Sequence, residues 1–186
     1  MTFCQNHKRL AAVAKYLHNR YPAIDWEALP ARLKRHDATL DAMLAGRRPS
    51  HYRTQLESHL ASVAGRKGFH NRLAAGVQNA VPGYYGVRGA RRMLEHVMSV
   101  FAPKIREIAA ETEAVGVTGV TGYLQAVLVP EMAVCLVKED MECGDEEARR
   151  VLEESAAAGE HMHGEEEERV AYVEEEEADE MEDVGG

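Results

Sequence analysis

Cysteine is scarce in this chain of 186 residues: Cys4, Cys135 and Cys143 are an odd number at spacings that outline no disulfide framework, as in a reducing, intracellular setting. Signatures of common catalytic sites are missing as well. There is no Gly-x-Gly-x-x-Gly, no Gly-Lys-Ser/Thr phosphate loop and no Gly-x-Ser-x-Gly elbow, which removes the usual sequence grounds for a nucleotide-binding or serine-hydrolase enzyme. No segment alternates with period two for long enough to make a strand. The first twenty residues carry His7, Lys8, Arg9 and Lys15 instead of the apolar core of a signal peptide. The longest apolar run is interrupted at Pro130-Glu131 and falls short of the roughly 20 residues that span a bilayer, so a soluble protein is expected, without a membrane partner.

Apolar residues nevertheless make up 45% of the chain, enough for one domain of ordinary size. They are densest from Leu124 to Val137, where Gln125 and Glu131 are the strongly polar exceptions, a pattern that places this stretch at the centre of the core. Proline has no N–H and its ring clashes with the carbonyl four residues back, so a break at Pro130 is expected, with a kink as the alternative. The rest follows helical spacing. Leu10, Val13, Ala14 and Leu17 mark a helix from Asn6 to Arg20. Asp25 caps a second, with Trp26, Leu29, Leu33, Leu40 and Leu44 inside, a first short turn that Pro30 can split off, and Gly46 past its end. Ser50 caps a third, with Tyr52, Leu56, Leu60 and Val63 on one stripe. Leu73 to Ala80 forms a short helix, and Pro82-Gly83-Tyr84-Tyr85-Gly86 is a turn signal. The helical pattern resumes at Val87 and runs through Met93-Leu94, Val97, Phe101, Ile105 and Ile108, with Pro103 marking either a kink or a stop. A Gly-broken link at residues 115–119 leads into the core element. Asp145 caps a last helix, Glu146 to Ala158, which Gly159 ends.

The fold class expected is therefore all-α: a compact multi-helix domain over residues 1–158 with a kinked or broken buried helix at Pro130, then a disordered acidic tail, 159–186. Residues 1–138 hold 19 Lys and Arg against 10 Asp and Glu, a net of +9, whereas residues 139–186 hold 3 against 21, a net of −18. Blocks such as Glu165–Glu168 and Glu174–Glu177 repel themselves and bury too little apolar surface to offset the entropy of folding. Val170, Tyr172 and Val173 form an apolar island between them, either a pause in the charge or a contact point. The acidic tail either only solubilises the chain or, given the opposed charges, folds back on the basic body and competes with any anionic partner.

Candidate sites are few. Arg88, Arg91 and Arg92 open the long helix, where cations run against the helix dipole and free N–H groups suit an anion; they either point to water at little cost or bind an anionic partner, and are the candidate interaction residues. Cys4 and His7 have the spacing of half a zinc site, but no second ligand pair accompanies them, and Cys135 and Cys143 suit packing better than ligation. No metal or other cofactor is expected. His161-Met162-His163 falls in the predicted tail. Glu131 lies in the first turn after Pro130, where the helix dipole favours a carboxylate without any chemistry.

Several of these segments resemble one known family. Gly122-Tyr123-Leu124-Gln125-Ala126-Val127-Leu128-Val129-Pro130-Glu131, Glu139-Asp140-Met141 and the run from Glu146 to Ser155 are similar to the C-terminal domain of the fungal restriction of telomere capping protein 4 family. Phe3-Cys4 with His7, Tyr21-Pro22-Ala23-Ile24-Asp25-Trp26 and Pro82 to Gly89 extend the resemblance over residues 3–158. It implies a link to telomere capping, residence in nucleus and cytoplasm, and no catalytic chemistry. A non-catalytic protein-interaction domain with a protein partner is the function expected, and no small-molecule substrate. The alternative is a basic nucleic-acid-binding module autoinhibited by its acidic tail.

Overall fold

The computed structural model describes Ala14 and residues 21–63, 82–110 and 112–163. Every regular element among them is helical, as the spacing predicts. The predicted helices at Asn6–Arg20 and Leu73–Ala80 lie outside the described residues, apart from Ala14, as do Cys4, His7 and the acidic residues from Gly164 onward.

The first helices are short. Asp25 Oδ1 accepts the N–H groups of Glu27 and Ala28 at 3.0 Å each and starts a turn, from which α1 runs over Leu29–Arg35 with Pro30 in its first turn. A break at His36 separates it from α2, Asp37–Leu44, and Gly46 with φ 72° closes that helix as expected. Helix α3 spans His51–Val63, and Ser50 Oγ accepts the Arg53 N–H at 3.1 Å, the predicted cap. After a 3-10 turn at Gly83–Tyr85, α4 runs from Gly86 to Ile108 without a stop at Pro103, which sits on its exposed side.

The core element departs from expectation in an instructive way. Helix α5, Glu113–Tyr123, contains the real interruption at Gly119, whose φ 71° and ψ 170° are far from helical. From there the backbone passes through a π-helical turn, Leu124–Leu128, into α6, Val129–Met141. The backbone stays helical through Pro130, which lies in the first turn of α6, where the π turn gives way to the α-helix. The wider π turn just before it opens the hydrogen-bond ladder where the proline ring and its missing N–H would otherwise stop a helix. The apolar run is consequently not cut short: Glu113–Met141 is long and apolar enough, by length and composition, to cross a membrane, but 72% of its most apolar window is buried, the position of a core helix. Between Leu124 and Val137 only Gln125, Ala126 and Cys135 escape full burial, which bears out the core assignment.

Helix α7, Asp145–Met162, also outruns its predicted end, continuing through Gly159. Its N-cap position is held by Gly144 rather than Asp145, which lies one residue inside and pairs with Lys138 at 2.5 Å. Gly159 serves packing instead of termination. A Cβ there would stand 2.0 Å from the Gly83 carbonyl oxygen, and one on Gly86 would stand 2.1 Å from the Gly159 oxygen, so α7 and the 3-10 turn touch backbone to backbone. Gly83 and Gly86 also have positive φ, 56° and 60°. Gly159→Ala is therefore expected to destabilise by about 1–3 kcal/mol, the range for overpacking, although alanine is the better helix former; equilibrium denaturation checks this, and an unchanged midpoint would mean that the two backbones are not held together.

The end of α7 carries His161 and Met162, so His161-Met162-His163 belongs to the helical body and not to the tail. That moves the charge boundary. Residues 164–186 hold one Arg against 12 Asp and Glu, a net of −11, which leaves +2 for residues 1–163. The body up to His163 is close to neutral, because the acids of α6 and α7 fold with it.

Candidate functional site

The densest polar constellation forms where the C-terminal end of α6 meets α1 and the 3-10 turn. Glu139 and Asp140 are neighbours in the last turn of α6, a position that the helix dipole disfavours for carboxylates, and cations from α1 compensate. Arg32 donates through Nε to Glu139 Oε1 at 3.2 Å and through a terminal nitrogen to Asp140 Oδ1 at 2.5 Å. Arg35 pairs with the same Glu139 oxygen, and His36 Nε2 lies 3.0 Å from the other. Asp140 Oδ2 accepts the Tyr84 hydroxyl at 2.6 Å and the Tyr85 hydroxyl beside it. Consecutive residues of an extended strand would point apart; in the 3-10 turn both rings stack, 4.8 Å between centroids, and Tyr21 stacks on the outer side of Tyr84 at 5.1 Å. Asp140 thus clasps α1, α6 and the turn that leads into α4.

Burial first, then the neighbouring Tyr85 phenol and Asp140, push the Tyr84 hydroxyl far above its usual value, and burial with Asp140 does the same to Tyr85. Burial alone would lower Arg32, but Tyr85, Asp140 and Glu139 hold its charge and the net shift is upward. Burial would raise Glu139; His36, Arg32 and Arg35 outweigh it and leave the carboxyl below its ordinary range. These are the signs of a closed ion cluster.

A second constellation is organised by Glu131, which is 2% exposed. Its Oε1 accepts the Ser50 hydroxyl at 2.7 Å and the Tyr52 N–H at 3.2 Å, so the carboxylate caps α3 from another part of the chain. The dipole that holds this charge is therefore that of α3 as well as that of its own helix. Next to it Arg53 donates to the Tyr123 hydroxyl at 2.9 Å and to the Leu44 carbonyl at 3.0 Å, closing the end of α2. Burial, followed by the Glu131 charge, pushes the Tyr52 phenol up to about 12, and burial raises Tyr123. A cleft of about 420 Å³ opens beside Arg53, with Glu57, Glu113, Leu60 and Ile108 among its walls.

Tyr52, Tyr84, Tyr85 and Tyr123, four of the seven tyrosines, consequently keep their protons in the fold. Their folded values lie above the unfolded value of about 10, so the stability they contribute is complete below about pH 10 and is lost as pH rises beyond it. Their phenolate absorbance is expected to appear together with the loss of helical circular dichroism in one cooperative alkaline step; smooth ionisation near the ordinary tyrosine value with helix intact would contradict the buried assignments.

The arginines singled out in the sequence lie at the start of α4, which has no acid in its first turn. Arg88 places its guanidinium 4.5 Å over the Trp26 ring, and its N–H donates to the His163 carbonyl at 3.0 Å. The His163 ring meets Trp26 edge-on at 5.3 Å. Arg91 and Arg92 are exposed, with Arg91 reaching Glu95 at 3.4 Å. Cys135 and Cys143 are free thiols, Cys135 pushed up to about 11 by burial. Among the described residues no three His, Cys, Asp or Glu side chains converge as metal ligands.

The architecture is that of an all-helical domain built around a buried π-bulged helix and closed by a tyrosine–carboxylate clasp. The family model for the RTC4-like domain matches residues 45–164, most of the chain, and the chain belongs to that family. No curated protein and no solved structure matches it. The match begins at the end of α2 and closes just past α7, so Tyr84, Tyr85 and Asp140 lie inside it and Arg32 precedes it.

Proposed function

We propose that this chain is a non-catalytic protein-interaction domain, acting in a process that influences telomere capping, in the nucleus and cytoplasm, and that it takes neither a cofactor nor a small-molecule substrate. The observation that carries the reading is the use of its buried polar groups. Ser50, Glu131 and Ser155, the polar side chains buried among the described residues, each hydrogen-bond inside the fold: Ser50 with Glu131, and Ser155 with the Val151 carbonyl at 2.6 Å. The ion pair of Asp140 and Arg32 is engaged in the clasp. What faces outward on α4 is a surface of mixed character, with Val87 and Met98 exposed beside Arg91 and Arg92.

A nucleic-acid partner fits less well. The excess of +2 up to His163 is small, and a segment of net −11 follows it directly. The two readings separate in one experiment: the full chain is purified from its own cells across a salt series and is also titrated with duplex DNA. A defined protein that stays bound as salt rises, together with weak DNA affinity, is expected. DNA binding that falls steeply with salt, with no protein retained, would replace this reading by the nucleic-acid one.

A further inference from the structure

The exposed face of α4 carries a stripe of Val87, Arg91, Leu94 and Met98 at helical spacing, with Arg92 beside it; Leu94 is half-buried and Val87 and Met98 are 37% and 39% exposed. Leu94 also packs against the core, so the outward apolar surface of this face is Val87 and Met98, flanking Arg91 and Arg92. From its layout we infer that this stripe is covered in cis by the chain's own segment Glu165–Val173, which acts as a built-in occupant of the surface. The inference stands apart from the interaction reading, since it concerns a contact within one chain.

Three observations bear on the occupant. The helical body ends against the start of α4: the His163 carbonyl accepts the Arg88 N–H at 3.0 Å, and a Cβ on Gly86 would stand 2.9 Å from the His163 Cβ. The segment that follows therefore leaves the body at the first turn of α4. Its charge is complementary, with Glu165 to Glu168 the next residues after Gly164, while the first turn of α4 has no acid and the next turn brings Arg91 and Arg92. Finally, the order along the two segments corresponds. The glutamates come first, then Arg169 and the Val170-Ala171-Tyr172-Val173 island; on α4, beyond Val87, the arginines come first and Leu94 and Met98 follow. Arg88 to Met98 covers about 15 Å of helix at about 1.5 Å per residue. The residues from His163 to Tyr172 reach about 30 Å when extended, so the island arrives at Met98 with slack. Glu95 opposes the incoming charge, but it is paired with Arg91 at 3.4 Å.

Exposed charges are largely screened beyond roughly 8 Å at physiological salt, so the cationic half of the contact weakens with salt while the apolar half does not. A partner with an acidic-then-apolar segment would have to displace the occupant, whose effective concentration through a short link is about millimolar.

The test uses the full chain. Amide NMR spectra are compared for the wild type, for the variant Glu165→Gln/Glu166→Gln/Glu167→Gln/Glu168→Gln and for Val170→Ser/Tyr172→Ser, each at low and at high salt. Both variants are expected to shift the same amides, Val87 to Met98, away from the wild-type positions, the glutamine variant only at low salt. Shifts spread over basic positions on other helices, no shift on α4, or shifts that depend on protein concentration and so belong to a second copy, would each overturn the inference. Both variants leave the body's sequence intact, and an unchanged melting temperature confirms that the comparison is between folded chains.

Discussion

Asp140→Ala is expected to destabilise the domain by about 3–5 kcal/mol, the magnitude for removing one partner of a largely buried charge network. The loss has two parts. Arg32, with a side chain 13% exposed, keeps its charge but loses one of its two carboxylates, and the Tyr84 and Tyr85 hydroxyls lose the oxygen they share. Both rings are fully buried, so water cannot replace that acceptor without opening the stack. Asp140→Asn should be milder, since an amide oxygen still accepts from one phenol. Chemical denaturation monitored by circular dichroism provides the check; a loss under about 0.5 kcal/mol, the range of an ordinary surface change, would mean that the clasp is incidental.

Leu136→Asp is the other severe case. Leu136 is 0% exposed in the middle of α6, with the core formed by α3, α4 and α7 around that helix. A carboxylate placed there without a partner costs several kcal/mol, comparable with the total stability of about 5–15 kcal/mol of a typical domain. The variant is expected to be unfolded or molten at room temperature, with lost near-ultraviolet circular dichroism. A protein that melts like the wild type would remove the core assignment altogether.

The periodic apolar positions disclose the helices because burial repeats with the helix itself: Leu29, Leu33 and Leu40, or Met93, Val97, Phe101 and Ile105, are inward wherever the spacing places them. Helix ends were less legible. Pro130 and Gly159 are strong stop signals locally, yet a π turn accommodates the first and a backbone contact with Gly83 calls for the second. Each depends on a partner distant in sequence, which no local rule contains. The same holds for the candidate site. Glu131 looked like a residue of its own helix's first turn, whereas its oxygen caps α3 through Ser50 and Tyr52. In the sequence Asp140 is marked only by its place in the Glu139-Asp140-Met141 motif. The signals that could have found the clasp were the paired tyrosines inside Pro82-Gly83-Tyr84-Tyr85-Gly86 and two acids at the end of an apolar helix, neither of which has a reason to be there alone. The charge boundary was misplaced for a related reason: the acids of α6 and α7 are folded with cations that lie far back in the chain.

Arg32, Asp140 and the two tyrosines serve the fold through coupled contacts. The most direct measurement is a double-mutant cycle between α1 and α6, with Arg32→Ala, Asp140→Ala and the double variant compared by equilibrium denaturation. Because each single change strands the other partner, the double variant is expected to lose less than the sum of the two, with a coupling energy of about 1–3 kcal/mol. Losses that simply add, with coupling near zero, would contradict the claim and leave Asp140 and the two tyrosines available for another role.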